Sequence, residues 1–265
     1  MYGFHRDRKY YFNFIYKTSK NFIVPYIEEY RSLRESDKIL EIGCAEGGVL
    51  KAFTERGHES IGIEMSEKRV ELAREFMSNE IDDGLAQFIS KDIYDIDTDA
   101  ELPHKFDVIL LKDVIEHIFH QDKFMARLDQ FMSPDGIVFF GFPPWQMPFG
   151  GHQQVLRSKL LSKIPYFHLL PRFLYKWILE IFGESDHKIK EMMELTETGL
   201  SIERFERIAR ETNFDIVKKK HYLINPVYHY KFGLKPRKQF SLISSIPILR
   251  NFLTTGVYYI LKKSN

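Results

Sequence analysis

The sequence predicts an α/β fold, a doubly wound and mostly parallel sheet of seven strands with an antiparallel last strand and a helical cap inserted after the fifth. Three observations predict it. Short apolar runs of strand length alternate with helix-period segments from residue 38 to 142. The first run, Lys38-Ile39-Leu40-Glu41-Ile42, enters a glycine-rich turn, Gly43-Cys44-Ala45-Glu46-Gly47-Gly48, before Val49, Leu50 and Phe53 open a helix. The strand-and-helix alternation then lapses for more than fifty residues after Phe142, which marks an insertion.

In order, residues 1–33 carry Tyr10, Tyr11, Phe12, Phe14, Ile15, Phe22, Ile23 and Ile27 at helical spacing, a lid over the mouth or the edge of the sheet, with Arg8 and Tyr11 in reach of a ligand. Residues 34–142 form the cofactor-binding half. Its second strand is Glu59 to Glu64, followed by Ser66 as the N-cap of a helix containing Val70, Ala73 and Phe76. The third is Ala86 to Ser90, the fourth Phe106 to Leu111 and the fifth Gly136 to Phe142. Residues 143–198 read as a cap at the carboxyl ends of the strands, beside the crevice where such sheets bind ligands. Residues 199–240 return to the sheet through an amphipathic helix, Ser201 to Thr212, and two strands in a hairpin, Phe214 to Ile224 and Tyr228 to Gly233. Residues 241–265 show apolar doublets every four positions, Ile248-Leu249, Phe252-Leu253, Gly256-Val257 and Ile260-Leu261, and predict an amphipathic helix.

Taken together, Ile39-Leu40-Glu41-Ile42-Gly43-Cys44, Gly62-Ile63-Glu64, Lys91-Asp92-Ile93, Asp107 to Ile118 and Ser133-Pro134-Asp135-Gly136 resemble the class I S-adenosylmethionine-dependent methyltransferases. The likeness is greatest to their small-molecule, quinone O-methyltransferase-like branch. It covers about Arg34 to Phe142, with a weaker match from Ser201 to about Gly233, and departs at Ala45, where the usual turn has glycine.

The resemblance implies a Rossmann-like methyltransferase fold that binds S-adenosylmethionine and releases S-adenosylhomocysteine. Glu64 would hold the ribose hydroxyls, Asp92 and the Ile93 backbone would receive the adenine, and Met65 and Ile93 would flank its faces. Glu41 and the Gly43 to Gly47 backbone would lie near the methionine portion, with the Lys112-Asp113 turn holding its amino and carboxylate groups.

Transfer to a hydroxyl needs a proton acceptor, and His117 and His152 are the candidate general bases, with Glu116 placed to orient an imidazole. His117, His120 and His152 with Glu116 or Asp113 also suggest a divalent metal, but no oxygen-rich cluster is evident, so none is expected. Phe142-Pro143-Pro144-Trp145 resembles the Pro-Pro-aromatic signature of amino-methylating nucleic-acid enzymes. It lacks their preceding Asp or Asn and follows the wrong strand, so Trp145 and Phe149 are expected to line the mouth instead.

Charge is balanced, 38 basic against 37 acidic residues, so no global field attracts nucleic acid. It is uneven along the chain: Phe214 to Asn265 carries ten Lys or Arg and one acid, Asp215. With the amphipathic tail, this fits peripheral contact with an anionic membrane and an acceptor that is small or lipid-linked. The single cysteine, Cys44, excludes an internal disulfide framework and, with no leader pattern or membrane span visible, sets a cytoplasmic expectation. Gly43-x-Ala45-x-x-Gly48 with Glu64 also permits an NAD(P)-dependent oxidoreductase, and a non-catalytic S-adenosylmethionine-binding protein is the third reading. The oligomeric state is not encoded in any of these patterns.

Overall fold

The computed structural model describes residues 7–264. Helix α1 (Arg8–Thr18) passes through a π-helical turn, Ser19–Ile23, into α2 (Val24–Glu28), where Pro25 lacks the backbone donor that a regular helix would use. Then follow β1 (Ile39–Ile42), α3 (Lys51–Thr54), β2 (Ser60–Glu64), α4 (Glu67–Phe76), α5 (Ser78–Asp82) and β3 (Ala86–Ser90). The next elements are β4 (Phe106–Lys112), α6 (Gln121–Arg127), β5 (Met132–Phe142), α7 (Arg172–Ile181), α8 (Asp186–Thr198) and α9 (Ile202–Glu211). The chain closes with β6 (Phe214–Ile224), α10 (Val227–Phe232), β7 (Arg237–Lys238), α11 (Ser241–Ser245), α12 (Leu249–Leu253) and β8 (Gly256–Lys263).

These strands form one eight-stranded sheet in the order β3-β2-β1-β4-β5-β8-β6-β7. The first five pair in parallel, while β8 runs antiparallel to both β5 and β6. Side chains alternate between two buried faces. Leu40, Ile42, Ile109, Leu111, Val138 and Phe140 pack with α6 and α9, whereas Ile39, Val108, Leu110, Ile137 and Phe139 pack with α1 to α4. The result is three layers, helix on sheet on helix.

Two expectations for the carboxyl-terminal part are corrected. Tyr228 to Gly233 is not a strand. Pro226 starts α10 and Gly233, at φ 70°, ends it in the left-handed conformation, the usual placement of these residues around a helix. Nor is 241–265 an amphipathic helix. Ile246-Pro247-Ile248 ends α11, and Val257-Tyr258-Tyr259-Ile260-Leu261 is a β-branched and aromatic run that becomes the inserted antiparallel strand β8. Val257, Tyr259 and Leu261 face one core and Tyr258 and Ile260 the other, so the run is apolar on both sides and its helix-like doublets are incidental. The membrane helix expected there is therefore absent.

Residues 143–198 make a unit with its own core, in which Leu156, Leu161, Phe167, Tyr175, Leu179 and Met192 meet. Glu184 accepts the backbone N–H groups of Arg157 and Ser158, and Gln121 reaches from α6 to the carbonyl of Thr198 at 2.7 Å. Gln121 also donates to the Ile115 carbonyl at 3.0 Å, so the end of the unit is tied through α6 to the turn after β4.

Burial of β8 makes the tail part of the core rather than an appendage. Ile260→Ala is expected to lower stability by about 2–5 kcal/mol, read as a lower urea midpoint with an unchanged slope. An unchanged midpoint would place this strand outside the folded sheet.

Candidate cofactor cleft and active site

Strand order reverses direction between β1 and β4, so the connections leaving these two strands part to opposite faces and open a crevice at their carboxyl ends. The turn after β1 is built on left-handed residues, Gly43 (φ 70°), Ala45 (φ 49°) and Gly47 (φ 82°). Gly43 permits a close approach: a Cβ there would lie 2.5 Å from Val114 Cγ2, on the turn after β4. Gly47 faces the other way, where a Cβ would meet Met77 and Phe88, so it shapes the turn from behind and does not border the cleft. The helix that follows is a single turn, Lys51–Thr54, so the contribution of a helix dipole is small and the turn's own backbone dominates.

The cleft measures about 580 Å³ and is lined by Gly43, Glu64, Met65, Asp92, Ile93 and His117, among others. That size suits a nucleoside-sized ligand. Glu64, at the end of β2, accepts the N–H of Ala45 at 3.1 Å and that of Ser66 at 3.0 Å, one on each oxygen. Each oxygen keeps a lone pair for a ribose hydroxyl. Ser66 has the extended backbone of an N-cap, but its hydroxyl makes no capping bond to α4. Met65 is 71% exposed at the rim, and Asp92 caps the following turn through the N–H of Tyr94 at 3.0 Å. Ile93 is packed into the core beneath.

A smaller pocket of about 40 Å³ adjoins this cleft, sharing Gly43 and Asp113 with it, and is lined also by Tyr11, Glu41, Cys44 and Lys112. Glu41 is buried, and its Oε2 has no hydrogen-bond partner among the described residues. Burial pushes its carboxyl well above the ordinary range, with the nearby Lys112 ammonium opposing. A buried carboxyl oxygen without a partner, in a pocket adjoining a nucleoside-sized cleft, is what an amino-acid ammonium requires, so the residues present fit S-adenosylmethionine. Lys112 is itself buried and pairs with Asp113.

The two candidate bases come together although 35 residues apart in sequence. His117 ends a 3₁₀ turn after β4 and His152, at φ 52°, lies in the loop after β5. Their rings stack with centroids 5.0 Å apart and planes 16° from parallel. Burial, and then the neighbouring His117, push the His152 imidazole down to about 3. Burial also lowers His117, against the opposing pull of Asp113 and of Glu191 on α8. Both rings are neutral near pH 7, and His117, with 46% of its side chain exposed, is the one that borders the cleft.

Glu116 is buried with neither oxygen hydrogen-bonded among the described residues, and one of them stands 4.0 Å from His117 Nε2. Single ligand atoms of Glu116, His117 and His152 lie within 4.8 Å of one another, a nitrogen and oxygen set of the kind that holds a divalent metal. Of the residues grouped from the sequence, the structure brings together Glu116, His117 and His152, the last from the cap. His120 lines the cleft apart from them.

Other placements differ from expectation. Trp145 does not line the mouth: its ring packs edge-on to His168 with centroids 4.6 Å apart, and Gly199 leaves room for it. Arg8 pairs with Glu46 at 3.0 Å at the edge of the small pocket. Residues the sequence reading missed come from α10, where burial and then the charge of Asp113 push the Tyr228 hydroxyl up to about 12. Burial lowers Lys231, with the charge of Asp113 opposing. Reading 228–233 as an outer strand hid them.

If Glu64 holds the ribose, Glu64→Gln should weaken S-adenosylhomocysteine roughly tenfold to a hundredfold in isothermal titration while leaving the melting profile nearly unchanged. Equal affinity in the variant would place the ribose elsewhere.

Residues 15–219, more than half of the chain, match a family described as a methyltransferase domain. Among curated relatives, the ubiquinone biosynthesis O-methyltransferase of Mesorhizobium japonicum is 30% identical over 105 residues, covering 40% of this chain and 40% of that protein. The enzyme of the same name from Pseudomonas entomophila is 24% identical over 177 residues, 66% of each chain. The matches thus span from about two fifths to just under two thirds of these relatives' length. Among solved structures, the plantazolicin methyltransferase BpumL in complex with S-adenosylhomocysteine aligns over 99% of this chain and 87% of its own, with a TM-score of 0.59 at 16% identity. PKMT2 from Rickettsia typhi, also with the demethylated cofactor, aligns over 94% of this chain and 54% of its own, with a TM-score of 0.56 at 18% identity. These two likenesses show the fold. S-adenosylmethionine takes the place of the dinucleotide that the glycine turn also permitted, and the chain belongs to the methyltransferase-domain family as an S-adenosylmethionine-dependent methyltransferase.

Proposed function

We propose that this methyltransferase methylates a hydroxyl oxygen on a small or lipid-linked acceptor, with His117 as general base. The observation that carries the reading is the stacked, neutral His117 and His152 pair at the cleft. When bound, S-adenosylmethionine supplies a methyl group on a sulfonium sulfur. His117 takes the acceptor's hydroxyl proton as the oxygen gains the methyl, and the imidazolium so formed is stabilised by the charges of Asp113 and Glu191, which favour it. A base pushed down to about 3 accepts protons poorly, so His152 serves to stack on and position His117. Apolar cleft walls, Ile42, Ile63, Val114, Ile118 and Phe119, exclude water around the reacting atoms. An oxygen acceptor is further supported by the curated relatives, each named a ubiquinone biosynthesis O-methyltransferase.

A second reading rests on the donor set of Glu116, His117 and His152: a divalent metal there would lower the acceptor's hydroxyl pKa directly. It would need no free imidazole.

Transfer of labelled methyl from S-adenosylmethionine to a panel of phenolic acceptors tests both. His117→Gln is expected to lower kcat about 10²- to 10⁴-fold without changing S-adenosylhomocysteine affinity. Because the base acts unprotonated and its pKa is lowered from 6.5, activity should rise with pH through a midpoint below 6.5 and then level off. Loss of activity in EDTA, restored by a divalent ion, would favour the metal. Undiminished turnover in His117→Gln and EDTA alike would remove both, and binding of S-adenosylhomocysteine with transfer to no acceptor would favour the non-catalytic reading.

A further inference from the structure

We propose that the segment 240–253, with the neighbouring cations Lys235, Arg237 and Lys238, docks this protein on the surface of an anionic lipid bilayer. The inference stands apart from the acceptor and the base proposed above. It begins from an inverted polarity. Phe240 is 64% exposed, Leu242 75% and Ile248 69%, with Ile246 and Leu249 also exposed beside Ser241 and Ser245, while the larger polar side chains Arg250, Asn251 and the adjoining Gln239 are buried. A loop facing water places these classes the other way round.

The segment is held in this arrangement. Glu203 on α9 accepts the backbone N–H of Ile248 at 3.0 Å and Arg250 Nε at 2.8 Å, and it also accepts the side-chain amide of Asn251. Glu206 accepts the other side of the Arg250 guanidinium at 3.0 Å. The hydroxyl of Tyr166 in the cap donates to the Phe252 carbonyl at 3.1 Å. Ile248 itself sits at φ 68°, a conformation that a β-branched residue adopts only when its surroundings impose it. With its neighbours bonded inward, Ile248 stands exposed in this strained geometry.

Charge selects the occupant. Beyond Asp215 the sequence has no acidic residue, and Lys235, Arg237 and Lys238 are exposed on and beside β7, directly before the patch. Apolar side chains able to enter the acyl boundary, flanked by cations that meet lipid phosphates, are the composition of a peripheral bilayer contact. β7 follows α10, which packs through His229 and Tyr230 on Phe22 of the amino-terminal helical segment.

Flotation of the full chain with vesicles of phosphatidylcholine alone, or containing phosphatidylglycerol, tests the proposal. The protein should float with the anionic vesicles and be released by salt. Phe240→Ser with Leu242→Ser and Ile248→Ser should lower the bound fraction about tenfold or more. Replacing Lys235, Arg237 and Lys238 by Gln should abolish the preference for phosphatidylglycerol. The double variant Phe173→Ser and Trp177→Ser on α7, another exposed apolar stripe, should float unchanged. Melting profile and S-adenosylhomocysteine affinity report folding in each variant, and should the apolar triple fail to fold, the charge variant decides. The proposal is overturned if the protein stays soluble with both vesicles, if the folded variants of the patch float as the parent does, or if the parent sediments as a dimer that the triple variant dissociates with no flotation in either.

Discussion

The reversal of strand order between β1 and β4 is the constraint on which the rest depends. Because right-handed crossovers send successive connections to opposite faces on either side of that point, a crevice at the carboxyl edge is unavoidable. The glycine at 43 is where that topology becomes a packing requirement, since the turn after β1 must pass against Val114 at a distance no side chain would allow. Glu41, Glu64, Asp92 and Lys112 then gather at one edge because each stands at or near the end of its strand or on the turn that follows. The site is a consequence of where parallel strands stop.

Burial does the chemical tuning. Glu41 and Glu116 are pushed toward their neutral forms and both histidines toward the unprotonated state, while the buried Lys112 ammonium is the cation among them. Such a concentration of desolvated titratable groups is costly for stability and characteristic of a functional site. The cap contributes His152 and, through Glu191, part of the field at His117. Sheet and insertion therefore supply different halves of the same candidate site.

Much of this was legible in the sequence where local signals agree with one another. Strands β1 to β5 announce themselves as short apolar runs between turn residues, and β3 was delimited to the residue, from Ala86 to Ser90. The acidic ends at Glu64 and Asp92 follow from register. What was not legible depended on competition between patterns. In β8 the doublets of Ile260-Leu261 and Gly256-Val257 imitate a helical stripe, and only the unbroken β-branched and aromatic run Val257 to Leu261 argues for a strand buried on both faces. In α10 the Pro226 and Gly233 boundaries outrank the β propensity of Val227, Tyr228 and Tyr230. The stacking of His117 on His152, the orphaned oxygens of Glu116 and the outward turn of Ile248 are tertiary facts, created by contacts between distant segments, with no local signature.

If the crevice between the β1 and β4 turns holds the methyl donor with its amino-acid end toward Glu41 and Lys112, a crystal structure of the protein with S-adenosylhomocysteine will show the ribose hydroxyls on Glu64, the adenine between Met65 and Ile93 within reach of Asp92, and the ammonium of the amino-acid portion in the small pocket beside Glu41. Density for the ligand anywhere else, or in this cleft with its ends reversed so that the adenine meets Glu41, would contradict it.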